Sequence, residues 1–350
     1  MINFMNDYNS PGHPAVLKAI ADAAGCKYPG YGTDDVSEAA RKKIINIIGG
    51  RAGADVHFLA GGTQTNITAT GAFLRPHEAV IAADTAHIQV HETGAIEAAG
   101  HRILLAPRTD GPADRNTGKL AAGSVRSVYR MHTDEHMVKP RLVYISQSTE
   151  LGGVYTLSEL KALREVCDDC GLLLYMDGAR LGAALVSRAN DASLADIADL
   201  CDAFYIGGTK NGLLFGEALV IMNDGLKEDF RYMQKQRGGL LAKGFLLGLQ
   251  FGAIFDGDLF FSIARHADDM AGRLRSGLTC IGCRFRVESA TNQLFPVLRR
   301  ETVDKLKNGF LFEPWGDVDD EYAAIRLVTS WNTTEEEVEA MIEACRDSIR

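Results

Sequence analysis

The chain has no apolar run long enough to cross a membrane. Its longest, Gly244 to Phe255, has 12 residues, is interrupted by Gln250 and is bounded by Lys243 and Asp256, against the ~18 that a spanning helix needs. The start, MINFMNDYNSPGHP, lacks the basic and apolar segments of a secretory leader, which predicts a cytoplasmic chain without disulfides. Positive charge is also scarce: 37 Lys and Arg against 46 Asp and Glu give −9, so neither nucleic acid nor an anionic membrane is the expected partner. No internal repeat, low-complexity tract or Pro/Ser-rich linker occurs. Cys167-Asp-Asp-Cys170 and Cys280-Ile-Gly-Cys283 are separated by 109 residues, where a zinc ribbon has roughly 15–20; core thiols are expected instead. His87/His91 and His132/His136 have the i, i+4 spacing of two ligands on one helical face, but no third ligand accompanies either pair. The second pair, in HTDEHMVKP, reads as a solvated loop.

What the sequence does have is an ordinary globular balance, 46% hydrophobic and 24% charged over 350 residues, enough for about two domains. Glycine is in excess at 36 residues, which points to tight turns and close backbone approaches to a ligand. From about residue 56, apolar runs alternate with helical patterns: Val56–Leu59, Ala79–Ala83, Arg102–Ala106, Leu142–Ile145, Leu172–Met176, Phe204–Ile206 and Ala218–Met222. Strands this apolar have no wet face, so the fold class is α/β, a mostly parallel sheet flanked by helices. Thr156-x-x-Glu159 is a capping box, Leu160, Leu163, Cys167 and Cys170 repeat at helical spacing, and Gly171 ends that helix. An apolar helix over about 240–255 leads into a smaller C-terminal α+β domain. Its expected strands are Arg284–Val287 and Gln293–Leu298, and its last helix, opened by Thr333-x-x-Glu336, carries Val338, Met341, Ile342, Cys345 and Ile349 on one face. The domains are expected to be 1–250 and 251–350, with the first 30 residues an arm and loop outside the sheet.

Three polar sequences follow strands, where ligands of open α/β sheets collect. Gly61-Gly62-Thr63-Gln64-Thr65-Asn66 opens a helix whose first N–H groups suit an anion, although it is neither G-x-G-x-x-G nor a P-loop. Asp177-Gly178-Ala179-Arg180 sets a carboxylate at the end of an apolar strand. Gly207-Gly208-Thr209-Lys210 sets a lysine where desolvation and nearby cations would lower its pKa and permit Schiff-base chemistry. Singly, each has a plain structural explanation: a capped turn, an Asp177–Arg180 pair, a surface lysine. In this order, with Lys210 33 residues after Asp177, they are the handles pyridoxal 5'-phosphate requires: a phosphate anchor, a carboxylate for the pyridine nitrogen and a Schiff-base lysine.

Taken with FMNDYNSPGHP, YGTDD, ADTAHIQVHETGA, MDGARLGAAL, GGTKNG and IRLVTSWNTTEEEV, these motifs resemble the low-specificity L-threonine aldolases and the wider β-eliminating lyase group. Those are pyridoxal-phosphate enzymes of the aspartate-aminotransferase-like fold. The resemblance implies that Lys210 carries the cofactor, that Asp177 binds its ring nitrogen, and that Gly62 and Thr63 hold its phosphate. It implies that His87 stacks on the ring, that Arg180 lies beside cofactor or substrate, and that Arg326 clamps the substrate carboxylate. It further implies a homodimer or homotetramer in which Tyr31 faces a neighbouring subunit's site, and an amino-acid substrate that Asn6 and Tyr31 help to bind.

Two departures fall where substrate is chosen. The family typically reads Glu-Asn-Thr-His-Asn after the strand that is LVYIS here, and its histidine contacts the β-hydroxyl; this chain has Gln147-Ser148-Thr149-Glu150. Glu150 is therefore the candidate proton acceptor, provided that burial raises its pKa. Asn6 stands where the aldolases usually have serine. The expected reaction is retro-aldol cleavage of threonine or allo-threonine to glycine and acetaldehyde. The alternatives are β-elimination from a β-substituted amino acid, releasing pyruvate and ammonia, and, remotely, a non-catalytic phosphate-ligand-binding α/β protein.

Overall fold

The computed structural model describes residues 1–106 and 117–349, with side chains to residue 346. Seven strands form the main sheet, in the order Asp55–Leu59, Glu217–Ile221, Ala203–Gly207, Leu173–Asp177, Lys139–Ser146, Glu78–Ala82 and Ile103–Leu105. All neighbours pair in parallel except Glu217–Ile221, which runs against both of its own. Every residue of Glu78–Ala82, Leu173–Asp177 and Ala203–Gly207 is buried, as the wholly apolar runs require of strands covered on both faces. Separate apolar clusters lie on the two faces, one including Val143, Leu174 and Phe204, the other Tyr144, Tyr175 and Tyr205. The helix Leu157–Cys170 has both halves of its capping box, from Thr156 and Glu159, and ends at Gly171 in the left-handed conformation, φ +64°.

The smaller domain follows the 22-residue helix Leu259–Cys280. It holds an antiparallel sheet in which Tyr322–Val328 pairs with Gln293–Leu294, Pro296–Arg299 and Glu313–Asp317. Its core takes Phe4 from the other end of the chain, and Ile2–Asn3 pairs in parallel with Phe310–Leu311. The N-terminal arm is thus more than a loop, for it adds a strand here and a helix at Pro14–Asp22.

Several sequence expectations need correction. The apolar helix begins at Phe245, not near 240, because the backbone before it is pressed against the 30–32 loop. The N–H of Tyr31 donates to the Ala242 carbonyl at 3.2 Å, and a Cβ on Gly244 would meet the Gly32 nitrogen at 2.6 Å. The last helix, Glu335–Ile349, is capped one residue later than expected, by Thr334 and Glu337, since the Thr333 hydroxyl accepts from the Ser330 N–H instead. Val338, Met341, Ile342 and Cys345 are buried; the Ile349 side chain lies outside those described. Of the paired cysteines only Cys167 is a core thiol, whereas Cys280 is exposed and Cys170 and Cys283 are half-buried; Cys170 and Cys280 are the last residues of their helices and Cys283 lies beyond the second. No group of three potential metal ligands occurs among the described residues. No single described helix is long and apolar enough to cross a membrane.

Candidate active site

The carboxyl ends of the parallel strands meet at a cleft of about 480 Å³ whose lining includes Gly62, Thr63, His87, Asp177 and Lys210. On one side is the N-terminus of the 12-residue helix Gly62–Phe73. No described group accepts from the N–H of Gly62, Thr63 or Gln64, whose partners four residues back lie outside the helix. A Cβ at position 62 would come within 3.1 Å of the Tyr205 hydroxyl, while Gly61 faces open space. The helix end is therefore suited to hold an anion.

Across the cleft, Lys210 is half-buried and makes no hydrogen bond or ion pair with any described residue. Its Nζ lies 5.9 Å from the ring centroid of Tyr8 of the arm. Burial, and then the Arg180 guanidinium, push the Lys210 amine below the usual lysine range against the pull of Asp7, Asp177 and Glu217. An amine so placed is more readily neutral, which nucleophilic attack on a carbonyl requires.

At the cleft floor Asp177 is 3% exposed and accepts four hydrogen bonds. The Tyr205 hydroxyl and the Ala179 N–H donate to Oδ1 at 2.5 and 3.0 Å, and the Tyr144 hydroxyl and Asn66 Nδ2 to Oδ2 at 2.6 and 3.0 Å. Burial alone would raise this carboxyl's pKa, but nearby His87 and these donors outweigh it and hold the group below the ordinary aspartate value. A second carboxylate, Glu92, lies behind His87. Its Oε1 is 2.8 Å from His87 Nδ1 and accepts from Asn66 Nδ2 at 2.8 Å, while its buried Oε2 has no partner.

The profile of the β-eliminating lyase family matches residues 3–301. The chain belongs to that family. It is 32% identical to the low-specificity L-threonine aldolase of Pseudomonas aeruginosa over 352 residues, which cover 98% of this chain and 96% of that one. The solved structure of Leishmania major threonine aldolase is 44% identical and superposes with a TM-score of 0.96 over the full length of both chains. Thermus thermophilus aspartate aminotransferase, at 14% identity, shares the fold with a TM-score of 0.71 over 99% of this chain and 91% of its own. Members of this family depend on pyridoxal phosphate, and the residues present fit that cofactor: an open anion cradle, a buried carboxylate and a desolvated amine converge on one cleft.

Family membership makes the rest of the cleft legible. Glu150 follows the strand Lys139–Ser146, and its Oε1 accepts from the His87 N–H and the Ser146 hydroxyl, both at 2.8 Å; burial raises its carboxyl's pKa. Arg326 lines the cleft but pairs with Glu313, leaving Nε without a partner. Asn6 is absent from the cleft lining, and its side chain accepts from the Tyr8 N–H at 3.1 Å. Tyr31 also lies away from its own chain's cleft, 46% exposed with φ +62°, and Lys235 Nζ sits 4.5 Å from its ring centroid.

Two arm residues other than Asn6 reach the site: Tyr8 lines the cleft, and Asp7 stands behind Arg180. Arg180 does not pair with Asp177; its Nε and Nη2 donate to Asp7 at 2.7 and 3.1 Å, and Asn292 Nδ2 donates to the same carboxylate at 3.0 Å. The side chains are 9% and 1% exposed. Asp7→Asn removes the counter-charge of a buried guanidinium, so the apoprotein is expected to lose about 3–5 kcal/mol in a denaturant titration. A loss below about 1 kcal/mol, the value of an exposed pair, would count against this arrangement.

Proposed function

We propose that this chain is a pyridoxal-phosphate-dependent lyase that cleaves β-hydroxy-α-amino acids, threonine or allo-threonine, to glycine and an aldehyde. The observation that carries the reading is the convergence of Lys210, Asp177 and the open helix end at Gly62 and Thr63 on one cleft. The relatives named threonine aldolase support it. When bound, pyridoxal phosphate supplies a sink for the electron pair left on Cα as the Cα–Cβ bond breaks. Lys210 would provide the amine for the cofactor's aldehyde carbon. Asp177 would hold a proton on the ring nitrogen. Gly62 and Thr63 would hold the phosphate, and His87, tethered through Nδ1 to Glu92, would lie against the ring.

Asp7 occupies one edge of the Arg180 guanidinium, which leaves the outer edge for the substrate carboxylate; Arg326 is the second cation for that group. Tyr31 is assigned a substrate contact across a subunit interface, whereas Asn6, whose side chain turns to the Tyr8 N–H outside the cleft, is not. In the same reading the chain is a cytoplasmic homodimer or homotetramer. The exposed, left-handed Tyr31 and seven unpaired cysteines support it, and a solution mass of one chain would refute the assembly.

Glu150 takes the β-hydroxyl proton in place of the family histidine. Only the ionised carboxyl accepts a proton, so cleavage falls as pH drops through its raised pKa, and Glu150→Gln is expected to lose about 10²–10⁴-fold in kcat. The deciding assay offers threonine and β-substituted amino acids and measures acetaldehyde, pyruvate and ammonia separately. Pyruvate without aldehyde, together with a Glu150→His variant that gains no threonine cleavage, would move the assignment to β-elimination.

A further inference from the structure

The turn that presents Lys210 is held by a side chain outside the three strand-end motifs. Glu217 is the first residue of the reversed strand, so it stands at the edge where the parallel strands end, in register with Gly207 on one side and Leu59 on the other. It is 4% exposed yet lines the cleft with Lys210. Its Oε2 accepts from the Gly208 N–H at 3.1 Å and its Oε1 from the Thr209 hydroxyl at 2.8 Å. That hydroxyl accepts in turn from the Gly216 N–H at 3.0 Å, and the Gly208 and Thr209 N–H groups both donate to the Gly216 carbonyl. A Cβ at position 208 would meet Leu213 Cδ2 at 2.4 Å and the Gly216 oxygen at 2.7 Å. The turn has no slack, and the residue it delivers is Lys210.

Among the described residues, only neutral donors hydrogen-bond to this carboxylate. The charged and titratable groups facing it are Lys210 from the turn, Asp177 and Tyr175 from the next strand but one, and Tyr205 from the strand between. Burial pushes the Glu217 carboxyl up to about 7, with the Thr209 and Gly208 hydrogen bonds and the Lys210 charge opposing it. Its ionised form in turn favours the charged form of the Lys210 amine.

We propose that Glu217 is a positioning residue for Lys210, clamping the Gly208-Thr209 turn and supplying the negative charge that sets how tightly the Lys210 nitrogen holds its proton. The inference rests on the reading of Lys210 as the residue that bonds the cofactor. A structural clamp alone requires only hydrogen-bond acceptors at position 217, whereas the proposed role requires charge.

The test titrates the visible absorbance of the cofactor-loaded protein with pH, which reports protonation at the lysine–cofactor link. Glu217→Gln keeps the shape and removes the charge, so the midpoint is expected to fall by about one pH unit, a tenfold change in proton affinity. Glu217→Asp keeps the charge and is expected to stay close to the parent. Thr209→Val removes a donor that favours ionised Glu217, and is expected to lower the midpoint in the same direction by less. A folded, coloured Glu217→Gln protein with the parent midpoint overturns the proposal, and where that variant does not fold, an unshifted Thr209→Val does so. A parent chain that takes up no pyridoxal phosphate has no band at all, and that result refutes the functional reading on which the proposal stands.

Discussion

Lys210→Ala is expected to lower threonine cleavage by at least about 10³-fold, since the variant lacks the amine that bonds the cofactor. The fold is expected to survive. Lys210 makes no described hydrogen bond or ion pair, so its removal leaves no partner unsatisfied. The sign of the stability change also follows. The folded protein holds this amine below the ordinary lysine pKa, chiefly through burial, so the charged form costs stability at every pH below the folded pKa. That cost fades as pH rises through the folded pKa toward the unfolded one. Thermal unfolding of apo Lys210→Ala at neutral pH is therefore expected at or above the parent temperature, with the difference shrinking toward pH 10. Borohydride, which fixes a lysine–cofactor bond, should no longer attach cofactor to the variant. Unchanged turnover in a folded Lys210→Ala protein would end the assignment.

The sequence announced the residues that stand at strand ends and concealed those that act from inside elements. Asp177 and Lys210 were legible because a charge directly after a fully apolar strand has few structural uses. The seven main strands were legible for a related reason, since runs such as LLLYM are too apolar for a wet face. Tyr144 and Tyr205 were hidden by the same signal: they read as apolar strand residues, and only the register that sets Tyr144 beside Tyr175 and Ser146 beside Asp177 brings their hydroxyls to the carboxylate. Asn66 and Glu92 lie 111 and 85 positions before Asp177, a separation no local pattern spans. Glu217 carries no such signal, because it opens a strand that runs the other way and so precedes its apolar run. Asp7 was missed by one position. No feature of FMNDYN separates the side chain that turns back on its own backbone from the one that reaches Arg180.

Asp177→Asn is expected to reduce turnover per bound cofactor by about 10²–10³-fold, the scale seen when one preorganised electrostatic group is removed from a site. A carboxamide cannot supply the charge that holds a proton on the ring nitrogen, and the pull on the electron pair at Cα weakens accordingly. The hydrogen-bond pattern adds a second, separable effect. Oδ1 accepts from the Ala179 N–H, whose direction is fixed by the chain, and Oδ2 from Asn66 Nδ2, which also serves Glu92 while its Oδ1 accepts from the Tyr175 hydroxyl. Tyrosine hydroxyls can rotate to accept, but neither N–H donor can. An amide at 177 therefore satisfies one of them and turns its own NH₂ against the other, at a cost of about 1–3 kcal/mol for the buried donor left unpaired. Denaturation of the apoprotein measures that cost, and turnover normalised to visible absorbance measures the electronic effect. If the variant turns over at the parent rate per bound cofactor while losing only stability, Asp177 is a structural carboxylate and the ring nitrogen is held by another group.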